Sequence, residues 1–302
     1  NPDPGPPTGF PYVPSTVVTH AVVDAAGHPV FSWWGGSVQF GDVNLTNSPP
    51  YVAKFDRRDG RLLWAKSLHP GPTTPVGVTL NALLATSDGG FLVGGQVTLR
   101  ESLPGVPNPA PPAIGSTLIT RGRGHPVAYV GRLDAQGEFL WASVIYMQGL
   151  ADPFANGIGV AALAIGASGT VYLASGYGCG TWLGNIQLGS NCGSRTDADG
   201  AVAALTPDGQ WLWAKTFGGS KDEIVTHLGV DAAENLYITG RTKSGDAKFD
   251  SFTVAASGEQ SAFLAKLSSG RSAVVKPERT LEGDLRFQVL GTAGLTNRVE
   301  FS

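Results

Sequence analysis

Short apolar runs alternate with tight polar turns along most of the chain. Val22-Val23 runs through Asp24-Ala25-Ala26-Gly27 into Phe31, and Leu83-Leu84-Ala85 runs through Asp88-Gly89 into Phe91-Leu92-Val93. Leu163-Ala164-Ile165 and Leu228-Gly229-Val230 open two further copies, which turn at Ser168-Gly169 and before Asn235. Two apolar strands around a polar turn predict a β-hairpin. A second hairpin follows each of these. Tyr51 to Asp56 turns at Arg57 to Gly60 into Leu62-Leu63-Trp64, and Tyr129 to Asp134 turns at Ala135 to Gly137 into Phe139-Leu140-Trp141. Ala201 to Leu205 turns at Thr206 to Gly209 into Trp211-Leu212-Trp213, and a worn copy, Phe263 to Leu267, turns at Ser268 to Gly270. Between the paired hairpins sits a small third element, seen at Phe40 to Leu45, Ile114 to Ile119, Leu183 to Leu188 and Phe249 to Val254.

Four strands therefore recur four times. A four-stranded meander cannot bury both of its faces alone, so copies must stack, radially as a β-propeller or linearly as a solenoid. Tryptophan at one hairpin position, Trp64, Trp141 and Trp213, suits the wedge between twisted sheets and favours the radial arrangement. The predicted fold is all-β, a β-propeller of about four four-stranded blades. Residues 1–14 are expected to form an N-terminal extended segment. The blades span approximately 15–70, 76–146, 157–219 and 222–278 within 15–278, and 279–302 form a strand pair, a partial blade or the start of a further β domain.

At these residues the chain resembles a known family, the bacterial β-propeller repeat proteins (SBBP-like repeats). The best matches to the repeat unit are Val230-Asp231 with Asn235 to Gly240, Phe40-Gly41-Asp42-Val43-Asn44-Leu45, Tyr51 to Asp56, and Leu212-Trp213-Ala214-Lys215 leading to Gly218-Gly219. The likeness covers roughly residues 15 to 278. It implies an exported or cell-surface protein and lends no catalytic residues. The chain departs from the unit at Gly131-Arg132, at Glu234 where the other copies have Gly27, Gly89 and Gly169, and in the fourth outer strand, which lacks the tryptophan.

Composition narrows the function. The chain has 302 residues with 21 Lys and Arg against 24 Asp and Glu, a net charge of -3, too little positive excess for a nucleic-acid groove. No apolar run is long enough for a membrane span, and the Asn-Pro-Asp-Pro start lacks a basic and apolar leader, as expected of a chain whose leader has been processed. Gly-x-Ser-x-Gly, His-Glu-x-x-His, P-loop, Rossmann and Cys-x-x-Cys patterns are all lacking.

Cys179 and Cys192 flank one strand element in a glycine-rich stretch. They predict a disulfide in an oxidising compartment, with two free buried thiols as the alternative; a metal pair lacks further ligands. A loop frozen in this way would display Tyr177, Trp182 and Arg195 for stacking on a sugar or peptide, or those aromatics would simply pin the loop. Trp33-Trp34 form a second aromatic pair, one facing the core and the other outward. His20 and His227 occupy matching positions in the first and last copies, where the middle copies have Ala82 and Ala162. In a closed four-blade ring they would approach one another near the channel. Asp24 and Asp231 are expected to accept turn amides; Asp42, Asp222, Glu223 and Asp246 are the loop acids that a paired-carboxylate site would draw on, and Asp222, Glu223 and Asp246, near sharp turns, are expected to be solvated instead.

The sequence thus points to an extracellular, cell-surface or periplasmic module that binds a carbohydrate or a protein, or serves as a scaffold, without catalysis. No cofactor and no metal are expected. The expected partners are a glycan or a surface protein, and the oligomeric state is open. The alternative is a polysaccharide lyase or hydrolase with its site at one end of the propeller.

Overall fold

A computed structural model describes residues 17–46, 49–69, 76–99, 113–119, 126–146, 159–178, 180–188, 197–249, 252–254, 256, 258–268, 271–279 and 285–290. The described residues contain strands and no helix. In chain order, β1 (Val17–Val23) and β2 (Pro29–Trp34) form a hairpin. A small hairpin, β3 (Val38–Phe40) and β4 (Val43–Leu45), comes next, followed by β5 (Tyr51–Phe55) and β6 (Leu62–Ser67). The second unit repeats this as β7 (Val76–Ala85), β8 (Phe91–Leu99), β9 (Ala113–Ile114), β10 (Thr117–Leu118), β11 (Pro126–Leu133) and β12 (Phe139–Tyr146). The third is β13 (Val160–Ile165), β14 (Val171–Tyr177), β15 (Thr181–Leu183), β16 (Ile186–Leu188), β17 (Asp199–Leu205) and β18 (Trp211–Phe217). The fourth is β19 (Glu223–Val230), β20 (Leu236–Thr242), β21 (Ala247–Phe249), β22 (Phe252–Val254), β23 (Ser261–Ser268) and β24 (Arg271–Arg279), with β25 (Leu285–Leu290) after it.

Each unit makes one antiparallel meander, and the four are called sheets I to IV. Sheet I is ordered β1-β2-β5-β6, and sheets II to IV repeat this order with their own strands. Sheet II gains the hairpin β15–β16 from the third unit on the edge of β12, and sheet IV gains β25 on the edge of β24. Among the described residues β25 is thus a fifth strand of sheet IV.

The first strand of every sheet carries a register shift at the same place, before His20, Ala82, Ala162 and His227. A bulge inserts one residue and increases local twist, so the first-strand edges of all four sheets bend alike. The turns repeat too. Gly27, Gly89 and Gly169 in the first turns, and Gly60, Gly137 and Gly209 in the second, all take positive φ, which glycine adopts without a Cβ penalty. In the first three first turns a glycine N–H closes the turn on the carbonyl of Asp24, Thr86 or Gly166, and Glu234 does the same on Asp231.

The core lies between consecutive sheets. One cluster joins sheets I and II through Val30, Val52, Leu80, Phe91, Val93 and Tyr129. A second joins II and III through Leu92, Val130, Ile145, Val160, Leu173 and Leu205, and a third joins III and IV through Tyr172, Val202, Phe217, Ile238, Phe249 and Phe263. Among the described residues no cluster joins sheet IV back to sheet I. The fourth cluster belongs to sheet I alone, where Trp33, Tyr51 and Ala53 are covered by Val38, Phe40 and Leu45 of the small hairpin.

The repeated tryptophans stitch neighbouring sheets together. Trp64 Nε1 donates to the Ala135 carbonyl at 2.9 Å, and Trp141 Nε1 to the Pro207 carbonyl at 2.8 Å. Each ring lies over the glycine of the turn it reaches. A Cβ on Gly137 would come within 2.9 Å of Trp64, and one on Gly209 within 2.6 Å of Trp141. Ser143 adds a bond to the Gly209 carbonyl at 2.7 Å.

Candidate functional site

Ion pairs tie down the first turns of sheets I and II and the junction of sheets III and IV. In the first turn of sheet I, Asp24 Oδ1 accepts the N–H groups of Ala26 and His28 at 2.9 and 2.8 Å, as a short acceptor at the start of a turn is placed to do. Its Oδ2 meets Lys54 Nζ at 2.5 Å, in a pair that sheets I and II bury. Burial alone would raise the Asp24 carboxyl; the Lys54 hydrogen bond, the His28 and Ala26 amides and the lysine charge outweigh it and hold the group below its ordinary value. Asp231 accepts Ala233 and Asn235 N–H in the equivalent turn, so both aspartates do what their positions suggested.

Glu234 stands in left-handed backbone with φ 59°, a conformation that costs an ordinary residue roughly 1–2 kcal/mol. Its side chain crosses to sheet III, where Ser168 N–H donates to Oε1 at 2.9 Å and Tyr172 Oη to Oε2 at 2.7 Å. These hydrogen bonds, Ser168 first, lower its carboxyl. Burial, reinforced by Glu234, pushes the Tyr172 phenol up to about 12.

At the junction of sheets III and IV the acids are tied into loops. Asp222 meets Lys243 Nζ at 2.8 Å and accepts Ala198 N–H, and Asp246 accepts both the N–H and the hydroxyl of Ser220. Glu223 departs from expectation, since it is fully buried instead of solvated. Its oxygens accept from Thr242 Oγ1 at 2.6 Å and Gly219 N–H at 2.7 Å, which removes the penalty of a buried unpartnered carboxylate. No group of three or more metal-type ligands occurs among the described residues.

The residues singled out from sequence separate. Tyr177 packs in the core between sheets II and III, its hydroxyl 3.5 Å from Asp199 Oδ2, so it pins the fold and is not displayed. Trp182 is half-buried on β15, opposite Tyr146 of β12. Cys179, Cys192 and Arg195 lie outside the described residues. Of the tryptophan pair, Trp33 is 4% exposed and Trp34 49%. Trp34 lies directly across from exposed Val17 on β1, making a rigid aromatic surface at the end of sheet I.

The two histidines are not brought together by any bond among the described residues. His20 Nε2 lies 2.9 Å from the Asn81 carbonyl, at the bulge of β7. A carbonyl only accepts, so Nε2 carries a proton, and Nδ1 lies 3.0 Å from Ser32 Oγ and 3.1 Å from Thr19 Oγ1. His227 is exposed on β19. This cross-sheet tie was illegible in sequence because it depends on the bulge that turns the Asn81 carbonyl toward sheet I.

No family model matches the chain, and no curated protein matches it. A solved structure of a protein of unknown function from Dyadobacter fermentans is similar at 12% identity and a TM-score of 0.40, covering 91% of this chain and 79% of that one. That likeness is too weak to carry an argument.

Proposed function

We propose that the chain is an exported or cell-surface β-propeller module that works by binding, with sheets I to IV as consecutive blades. The supporting fold observation is the sheet order repeated four times, with a common bulge on each first strand and tryptophan ties from one sheet to the next. The observation that carries the binding reading is Trp34. It is half exposed on a strand whose next residue, Trp33, is locked in the core, so its ring is presented with little ordering left to do on binding. An exposed flat ring beside Val17 suits stacking against the apolar face of a sugar in a surface glycan.

The acids at the junction of sheets III and IV favour binding over hydrolysis or elimination, because Asp222, Glu223 and Asp246 are each engaged by loop amides, hydroxyls or Lys243. The test is titration of soluble acidic and neutral glycans against tryptophan fluorescence, with reducing and unsaturated ends assayed in parallel. Saturable binding without new ends, weakened at least tenfold in Trp34→Ala, is the expected result. Release of new ends would replace the binding reading with the enzymatic one, and glycan binding untouched by Trp34→Ala would remove this site.

A further inference from the structure

The array ends in two faces that the repeat elsewhere buries. On the outer face of sheet I, Val18 is 61% exposed, whereas Leu80, Val160 and Val225 at the matching register of β7, β13 and β19 are 5%, 0% and 4% exposed. Phe31, Phe40 and Leu45 are half-buried, while their counterparts Val93, Leu173 and Ile238, then Ile114, Leu183 and Phe249, then Ile119, Leu188 and Val254 are all buried. The outer face of sheet IV shows the same deficit. Leu264 and Tyr237 are only half-buried where Val52, Val130 and Val202, and Val30, Leu92 and Tyr172, are buried.

Sheet IV's outer face is also a chemical twin of the face that sheet I buries against sheet II. His227 matches His20, Thr226 and Thr239 match Thr19 and Ser32, Leu264 matches Val52, and Lys266 matches Lys54. Thr226 Oγ1 lies 3.3 Å from Thr239 Oγ1, as Thr19 Oγ1 lies 2.8 Å from Ser32 Oγ. In sheet I the histidine reaches forward to the bulge carbonyl of the next sheet. His227 has no such carbonyl among the described residues. A sheet I carries the same bulge, at Thr19.

From these matches we infer that the outer face of sheet IV takes the outer face of sheet I from a second copy of this chain, head to tail, with His227 donating to that copy's bulge. The inference rests on the propeller reading of the stack and is independent of any ligand at Trp34. Large apolar faces left open mark interaction sites. A head-to-tail contact closes when rotation returns to the start, and two arcs of four sheets make a ring of eight, within the roughly four to eight blades that such rings use. The strand β25 is no obstacle. It sits on the edge of β24, and the contact between sheets I and II, which this one copies, uses no edge pairing.

The test is analytical ultracentrifugation of the full chain over a concentration series, with Val18→Asp, Leu264→Asp and His227→Ala. Far-ultraviolet circular dichroism and thermal melts establish that each variant is folded. Wild type is expected to form a dimer; each aspartate variant alone is expected to be a folded monomer, and His227→Ala to dimerise at least fivefold more weakly. An equimolar mixture of the two aspartate variants regains a dimer, because one wild-type pair of faces survives in it. A wild type that stays monomeric at about 100 μM, a protein concentration at which micromolar complexes form, overturns the inference. So does a Leu264→Asp chain that still dimerises, which would mean that two sheet I faces meet each other, and so does a mixture that stays monomeric. None of these outcomes touches the glycan titration, so the two readings fail separately.

Discussion

The turn glycines do two different jobs, and substitution separates them. Gly60 has φ 71° with open space where a Cβ would be, whereas Gly209 has φ 85° with Trp141 at 2.6 Å from that position. Gly60→Ala should cost about 1 kcal/mol from backbone strain alone, and Gly209→Ala about 3 kcal/mol because the tryptophan must also move, as urea unfolding would show. Glu234 is the instructive exception. It keeps the backbone of a glycine and recovers the cost through Ser168 and Tyr172. Glu234→Ala should therefore lose roughly 2 kcal/mol, about one for each hydrogen bond, while Glu234→Gly should lose no more than about 1 kcal/mol. The Glu234 carboxyl is lowered in the fold, so its contribution is complete above its unfolded value and fades as pH falls through the lower folded one. Tyr172 is raised to about 12, so its contribution is complete below the unfolded phenol value and is lost as pH rises toward 12. Melting curves of wild type and Glu234→Ala should accordingly converge at low pH.

Among the elements, the first hairpin of sheet I contributes one half of a buried ion pair. Asp24 in its turn and Lys54 on β5 form the pair that sheet II covers. Removing one partner strands the other, and Asp24→Asn should destabilise by about 3 kcal/mol at neutral pH. Because the Asp24 carboxyl is lowered, that difference should be complete above the ordinary carboxylate value of about 4 and shrink below it, where the unfolded chain takes up the proton before the folded one does; chemical denaturation at pH 7 and pH 3 measures it. The hairpins themselves were legible, since Asp-Gly and Ser-Gly turns between apolar runs leave little choice of element. The tryptophans of the second hairpins read correctly as wedge fillers, and Asp24 and Asp231 as turn acceptors. For Tyr177 the choice between display and pinning was not legible, because alternation shows that a side chain faces one side of a sheet without showing whether another sheet covers that side. Glu223 failed for a related reason. Its neighbours Gly218, Gly219 and Ser220 look like an open loop, yet that loop folds over the carboxylate and supplies its donor. Trp33 and Trp34 had to be opposite in exposure, but which one was buried depended on Tyr51 and on the small hairpin that packs over it.

At the scale of the whole molecule, the described residues form a row of four meander sheets with three shared cores and two end faces. Its candidate binding surface and its candidate assembly surfaces lie on different sides of sheet I, since Val17 and Trp34 pair across one face and Val18 and Trp33 across the other. Ligand capture and assembly can therefore be altered one at a time. The tryptophan ties also give the row a direction. Trp64 and Trp141 each reach toward the sheet that follows and donate to its second turn. Separating sheet I from sheet II breaks the Trp64 tie and separating sheet II from sheet III breaks the Trp141 tie, and either separation leaves both the indole N–H and the turn carbonyl to be hydrated. Under mechanical load the work of opening each boundary is therefore set by that boundary's own core and bonds, whichever end is pulled.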